Sequence, residues 1–471
     1  MAQKPQSVTI RSYQVGFGDC FLLQFHYAAD DVRNVLIDFG TTGIPKTLAT
    51  TPSKHMPRVA EKIAGHCGKD VAAGRKGKLH AIVATHRHQD HISGFATDGS
   101  NGGSGLTIQA LEPDVIVQPW TEDPDAAMDA THASAIVQKS ATKIVAFQQG
   151  LTAMHDVARA AVAFAKAELA KPDSPAMSAR TLAKLQFVGE DNVSNLSAVQ
   201  SLIDMGRRPG AKAVYANYGS TSGLESVLPG VRVTVLGPPT LDQTDGIKTM
   251  RKRDDIEFWQ LLAGKAKGLL PLATGLAKGP STGGTKQEPD SPALPANARW
   301  FARRLEALRG AEIFEIVTSL DRAMNNTSVI LLFEFGGRKL LFPGDAQLEN
   351  WRYALQEVGG GNEAAQNVAL LSDIDFYKVG HHGSLNATPR QMLWAHLTRR
   401  KAAGTARLRT MLSTMPGKHP GKEGGIGEVP RRPLLTALED ETVLASTDDL
   451  KKSKDPARVE WFHEMTIVAA G

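Results

Sequence analysis

Two stretches far apart in the chain share one hydrophobic grammar. Cys20-Phe-Leu-Leu-Gln-Phe25 predicts a strand, a polar turn follows, and Asn34-Val-Leu-Ile-Asp38-Phe-Gly40 predicts a second strand that ends on an acid. Ser328-Val-Ile-Leu-Leu-Phe-Glu-Phe335 repeats the pattern, turns at Gly336-Gly337 and resumes as Arg338-Lys-Leu-Leu-Phe342 before Pro343-Gly344-Asp345. Each half thus supplies a hairpin with a carboxylate at its end. This internal pseudo-symmetry predicts two similar sheets packed face to face.

Leu79–Thr85 is a short apolar run that reads as a buried strand and stops at a histidine cluster, which leaves that cluster on a loop at a strand's carboxyl end. The Gly- and Ser-rich Thr97–Gly105 predicts a mobile loop nearby, and Asp114–Gln118 a further strand. From 125 to 205 the chain turns Ala-rich, as in Leu151–Ala170, and its periodicity predicts a helical insertion. Ala213–Tyr218 and Val231–Leu236 predict a strand pair closing at Pro238-Pro239. Residues 246–310 predict a second helical insertion, broken by a flexible Gly/Pro/Ser-rich linker over about 271–296. Neither insertion carries an obvious ligand set, so residues 1–471 read as one decorated domain.

With 42% hydrophobic and 22% charged residues, the 471-residue chain has the material for a sizeable core, which excludes disorder as its dominant state. No stretch offers the roughly 18 uninterrupted apolar residues of a membrane span. Met1–Arg11 is polar, without a charged-then-apolar leader, so the expectation is a cytoplasmic protein with no membrane partner. Cys20 and Cys67 are the only cysteines, too few for a disulfide framework or a thiolate zinc site, and buried free thiols are expected. The formal charge is +5, with basic clusters at Arg399-Arg400-Lys401, Lys418–Lys422 and Arg431-Arg432. Such clusters suit an anionic substrate or nucleic acid, although solvated faces are the commoner cause.

The chemistry concentrates in His86-Arg87-His88-Gln89-Asp90-His91, imidazoles and a carboxylate at the end of a buried strand. Alternate residues of an extended loop point to one side, so His86 and His88 can share one metal, while Asp90 and His91, at the start of a following helix, can serve a second. Imidazole with carboxylate suits zinc, with manganese or iron as alternatives. Asp345 is a natural bridge, because one carboxylate can hold two cations roughly 3.5–4 Å apart. Tyr377-Lys-Val-Gly-His381-His382-Gly383-Ser384 is another strand ending in histidines, one of which can complete the second site while the other contacts substrate. His26, His55, His66, His80, His155, His396 and His463 lack companions at ligand spacing and read as ordinary surface or core residues.

In these motifs the sequence resembles the metallo-β-lactamase-fold hydrolases, with His86-x-His88-x-Asp90-His91 as the signature, Asp38 as the first-motif acid, Asp345 as the bridging acid and His381-His382 as the last histidine motif. Within that superfamily it is most similar to the hydrolase domain of ComEC-type DNA-uptake proteins and their stand-alone relatives. That similarity rests on Val15-Gly-Phe-Gly-Asp19, Asn325-Asn326-x-Ser328-Val329, Lys378-Val-Gly-His-His-Gly-Ser384 and Gly417-Lys-His419-Pro420. The resemblance implies an α/β fold, the αββα sandwich of two mixed sheets flanked by helices, here with helical insertions. It implies zinc, two per chain, and a role for Asp38 in accepting a hydrogen bond from a ligand histidine and fixing its tautomer. Asp19 is either a similar acid or a turn residue. One departure stands out: where the third-motif histidine should follow Asp114–Gln118, the chain reads Pro119-Trp120-Thr121-Glu122-Asp123. Glu122 or Asp123 could substitute, His132 could reach in, or the first site is left open.

The function expected from these motifs is metal-dependent hydrolysis of a phosphodiester, by a nuclease or a small phosphodiesterase, through attack of a metal-bound hydroxide that Asp90 positions. His381 or His382, with Ser384 and Asn325, would stabilise charge on a phosphoryl oxygen, and His419 would contact substrate. A carboxyl-ester or lactone hydrolase would use the same metals, and a non-catalytic metal- or partner-binding module is the third alternative.

Overall fold

The computed structural model describes residues 3–28, 31–126, 130–134, 156, 158–170, 177–192, 196–244, 325–384, 386–418, 429–451 and, apart from 452, 453, 456 and 458, the chain to 470. The chain begins β1 (Ser7–Tyr13), β2 (Cys20–Ala28), β3 (Asp31–Phe39), α1 (Pro52–His66), a small ribbon of β4 (Lys69–Asp70) and β5 (Arg75–Lys76), β6 (Ala81–Val83), α2 (Gln89–Ile92) and α3 (Ser104–Gln109). It continues with β7 (Val115–Pro119), α4 (158–169), α5 (Ala179–Asn192), α6 (Leu196–Arg207), β8 (Lys212–Ala216) and β9 (Arg232–Gly237). Next come β10 (Ile330–Phe335), β11 (Arg338–Phe342), α7 (Leu348–Arg352), α8 (Asn362–Ser372), β12 (Phe376–Lys378), β13 (Arg409–Leu412), α9 (Arg432–Glu441), β14 (Val443–Ser446) and β15 (Phe462–Val468).

These strands form two large mixed sheets, ordered β15-β1-β2-β3-β6-β7-β8 and β14-β13-β12-β11-β10-β9. The pseudo-symmetry extends well beyond the two hairpins. Along β1, β2, β3, β6, β7 and β8 the pairings run antiparallel, antiparallel and then parallel, and β9 to β14 repeat that sequence of pairings. β15 is the addition, pairing antiparallel with β1 at the edge of the first sheet.

Side chains alternate across a strand, so a strand covered on both sides is apolar at nearly every position. β2 follows this rule: Phe21, Leu23 and Phe25 face the second sheet, while Cys20 and Leu22 join the outer layer. The inner layer sets Phe21 against Phe342 with ring centroids 6.0 Å apart, and Phe25 against Phe335 at 5.8 Å. On the outer face of the first sheet, Leu36, Ile82 and Ile116 pack with Met56, Val59 and Ile63 of α1 and with Val199, Leu202 and Ile203 of α6. α1 places Met56, Val59, Ala60 and Ile63 on one face at helical spacing and has Pro at its start, where a missing N–H costs nothing. On the outer face of the second sheet, Leu332, Leu341 and Tyr377 pack with Trp351 of α7, Leu371 of α8 and Leu438 of α9. Helices therefore cover both sides of a sheet-on-sheet core.

Several expectations change. The segments read as a strand pair near 213–218 and 231–236 are not partners: β8 pairs with β7 in one sheet and β9 with β10 in the other. Within 125–205 the described parts are helical, and α6 belongs to the packed outer layer. The remainder of that span, and the 246–310 insertion with its linker, lie outside the described residues. Thr97–Gly105 is tied down: Asn101 donates to Ser93 O at 2.8 Å, Ser104 donates to Gly94 O at 2.7 Å, and α3 begins at Ser104. Cys20 and Cys67 are buried free thiols. Among the described residues no helix is long and apolar enough to cross a membrane.

Candidate metal centre

The carboxyl ends of five strands supply the site. β3 ends at Asp38, β6 leads through Thr85 to His86–His91, β11 leads to Asp345, β12 to His381 and His382, and β13 to Ser413. The sheets meet at this edge, where Val329 N donates to Thr85 O at 2.9 Å. Backbones approach so closely that side chains are excluded at two points. A Cβ on Gly344, whose φ is +55°, would lie 2.8 Å from Thr85 Cβ, and one on Gly40 would lie 2.4 Å from the Asp90 carbonyl carbon. Asp38, His381 and His382 adopt φ of 56°, 44° and 50°, a left-handed region that non-glycine residues rarely occupy. Such strain persists where the surroundings over-determine it, and it clusters here with the ionisable groups.

Asp90, His91, Asp345 and His382 are buried and offer one ligand atom each, all within 4.8 Å of one another. His91 Nε2 lies 3.1 Å from Asp345 Oδ2, and His382 Nε2 lies 2.7 Å from Asp90 Oδ2. The far nitrogens are held as well: His91 Nδ1 donates to Asp38 Oδ2 at 2.8 Å, and His382 Nδ1 donates to Ser413 O at 2.9 Å. Asp38 is itself fixed by Thr85, whose N and Oγ1 donate to it at 2.7 and 2.8 Å. Asp345 receives its own N–H bond from Ser328 as acceptor at 3.2 Å, and its Oδ1 accepts from His381 N at 3.0 Å.

Electrostatics divides the site in two. Burial pulls the His91 pKa down, but the carboxylates of Asp345, Asp90 and Asp38 outweigh it and hold the imidazole well above its ordinary value. His382 is likewise raised against its burial, by its hydrogen bond to Asp90 and by Asp345. His86 is driven well down by burial and by its histidine neighbours, and burial takes His88 to about 3. The Asp-rich half therefore calls for positive charge, and the His86–His88 half does not. Asp90 Oδ1 and His91 Nε2 are buried without a hydrogen-bond partner, which fits a donor set that could hold a metal ion.

The structure thus brings together Asp90, His91, Asp345 and His382, with Asp38 behind His91 as expected. Of the adjacent histidines, His382 joins the group; His381 keeps a buried Nδ1 without a partner. His86 and His88 stand beside it, Nε2 of one 2.9 Å from Nδ1 of the other, but outside the four-donor group. None of the substitutes for the third histidine reaches them. Glu122 faces Arg87 at 3.7 Å, Asp123 accepts from the N–H groups of Asp125 and Ser134, and His132 is exposed and paired with Asp242. Asn325 is buried in the loop before β10, its carbonyl accepting from Ser328 N at 3.1 Å and both side-chain polar atoms unpartnered. Ser384 is half-buried, its N–H bonded to His381 O at 2.9 Å, and His419 lies outside the described residues.

Sequence reasoning missed Lys378. It is buried, ion-paired with Asp19, and 3.3 Å from Asp345 Oδ1. This settles Asp19 as a buried acid with a cationic partner rather than a turn residue. The one available signal was a lysine closing an otherwise apolar strand. The basic cluster at 399–401 is largely spent on ion pairs, Arg399 with Asp375 at 2.8 Å and Arg400 and Lys401 with Glu441.

Fold and site together define a mixed α/β protein with a buried Asp/His group suited to a metal ion. No family model matches the chain, and no curated protein matches it.

Proposed function

We propose that this protein is a metal-dependent hydrolase of the metallo-β-lactamase fold, related to the ComEC-type hydrolase domains, and that it cleaves phosphodiesters. The observation that carries the proposal is the convergence of Asp90, His91, Asp345 and His382, from both sheets, within 4.8 Å. The repeated pairing order of the two sheets and their helical covers support the fold assignment. When bound, a divalent cation, zinc first with manganese or iron as alternatives, supplies Lewis acidity and makes water nucleophilic near neutral pH.

The chain's own residues do the rest. Asp38 and Ser413 hold the Nδ1 protons of His91 and His382, which turns both Nε2 atoms to the centre. His381 Nδ1 and the Asn325 amide are buried polar groups without partners, available to oxygen atoms of a substrate. The ion pairing of Arg399 and Arg400 favours a small phosphodiester over a long nucleic acid held on that surface.

Hydrolysis of bis(p-nitrophenyl) phosphate, lost in Asp345→Ala and His382→Ala, is the expected result. A substrate panel in which a lactone or carboxyl ester turns over and no phosphodiester does would sink the choice of substrate.

A further inference from the structure

We infer that the centre binds one divalent cation, between Asp90, His91, Asp345 and His382, and that His86 and His88 form a metal-free arm facing the substrate. This rests on the metal-hydrolase proposal above and sets its stoichiometry below the two zinc ions that the sequence resemblance implies.

Four nitrogen and oxygen donors complete a tetrahedral shell for zinc. A second cation would need His86, His88, a third protein donor and a share of Asp345, and each requirement fails on separate grounds. His86 Nε2 and His88 Nδ1 are hydrogen-bonded to each other at 2.9 Å. One of the two nitrogens therefore carries the shared proton, so this arrangement cannot present both lone pairs to one ion. The third donor is missing because Glu122 faces Arg87 at 3.7 Å, Asp123 accepts backbone N–H bonds at 2.9 and 2.7 Å, and His132 pairs with Asp242. Asp345 has one oxygen for the four-donor group. Its other oxygen accepts from His381 N at 3.0 Å and from Lys378 Nζ at 3.3 Å. That buried ammonium is a fixed positive charge where a bridged ion pair would need room for a second cation, and repulsion between close charges is strong away from water.

Without a cation, the histidine pair keeps a proton that it can exchange with substrate oxygen. The arm then contributes to turnover and not to metal retention.

The test is titration of metal-stripped full-length protein with Zn²⁺ and separately with Mn²⁺, counted by elemental analysis and calorimetry. One equivalent per chain is expected in the parent. The double variant His86→Ala/His88→Ala should keep that equivalent with little change in affinity, whereas His382→Ala should weaken it by more than about tenfold, as loss of a true ligand does. Turnover of bis(p-nitrophenyl) phosphate should fall in the double variant while it remains fully loaded. Two equivalents in the parent, one of them lost in the double variant, would overturn the inference, as would unchanged turnover in that variant. No bound metal in a folded parent would instead overturn the hydrolase proposal. If circular dichroism shows the double variant unfolded, His86→Gln and His88→Gln are titrated singly, with the same expectation for each.

Discussion

At the scale of single residues, the metal centre is surrounded by buried charges whose pairing sets both stability and function. Arg87 and Glu122 are 2% and 3% exposed, with their charged groups 3.7 Å apart. Removing one partner strands the other in a dry interior, so Glu122→Ala should cost about 3–5 kcal/mol in urea unfolding. The paired replacement Arg87→Met/Glu122→Leu should recover most of that loss. Away from the centre, burial and the Arg11 charge hold His66 at about 4, and burial with Arg33 holds His80 at about 4. Both stay neutral when folded, and His80 Nδ1 accepts from Asn34 N at 3.0 Å, a bond that protonation breaks. Between pH 6.5 and about 4 the unfolded chain takes up protons that the folded chain refuses, so stability falls as pH drops through that window. Thermal midpoints across this range should show a shallower fall in His66→Gln/His80→Gln than in the parent. The site residues legible in the sequence were those in one short run, because local spacing alone gives His86 to His91 a shared direction. Choosing between His381 and His382 required their φ angles, and the Lys378–Asp19 pair required a contact across most of the chain.

At the scale of elements, strands with an unbroken apolar pattern were legible, since β2, β3, β10 and β11 are buried on both faces and their composition says so. Partnership was less so. Nothing in the sequence around 213–236 reveals that β8 and β9 belong to different sheets, because each strand carries its own alternation but no mark of its neighbour. The site depends on element ends being brought unusually close. Gly40, after β3, leaves no space for a methyl group, its Cβ position being 2.5 Å from His91 N. Gly40→Ala should therefore push the α2 turn outward and weaken cation affinity by roughly tenfold or more, as disturbed ligand support does. Gly43→Ala is the control, because its nearest neighbours are flexible side-chain ends at 3.4 Å, and calorimetric titration of both variants reads the difference.

At the scale of the whole molecule, the two-sheet architecture was legible as pseudo-symmetry between hairpins, whereas the closing strand was not. β15 pairs with β1 along Ser7↔Val468 to Tyr13↔Phe462, and Ala469 N donates to Gln6 O at 2.8 Å. Strands from opposite ends of the described chain are thus immediate neighbours in the first sheet. The β4–β5 ribbon, by contrast, pairs with neither large sheet, and Gly74 at its tip has open space around it. A circular permutant follows from this: a short linker across Gln6 and Ala469, with new termini opened at Gly74, preserves every pairing of the two large sheets. It should melt within about 5 °C of the parent and bind the same cation, since a loss on the order of 1 kcal/mol shifts a midpoint by only a few degrees. A permutant that folds but loses the cation would mean that covalent order, beyond spatial adjacency, sets the geometry of the centre.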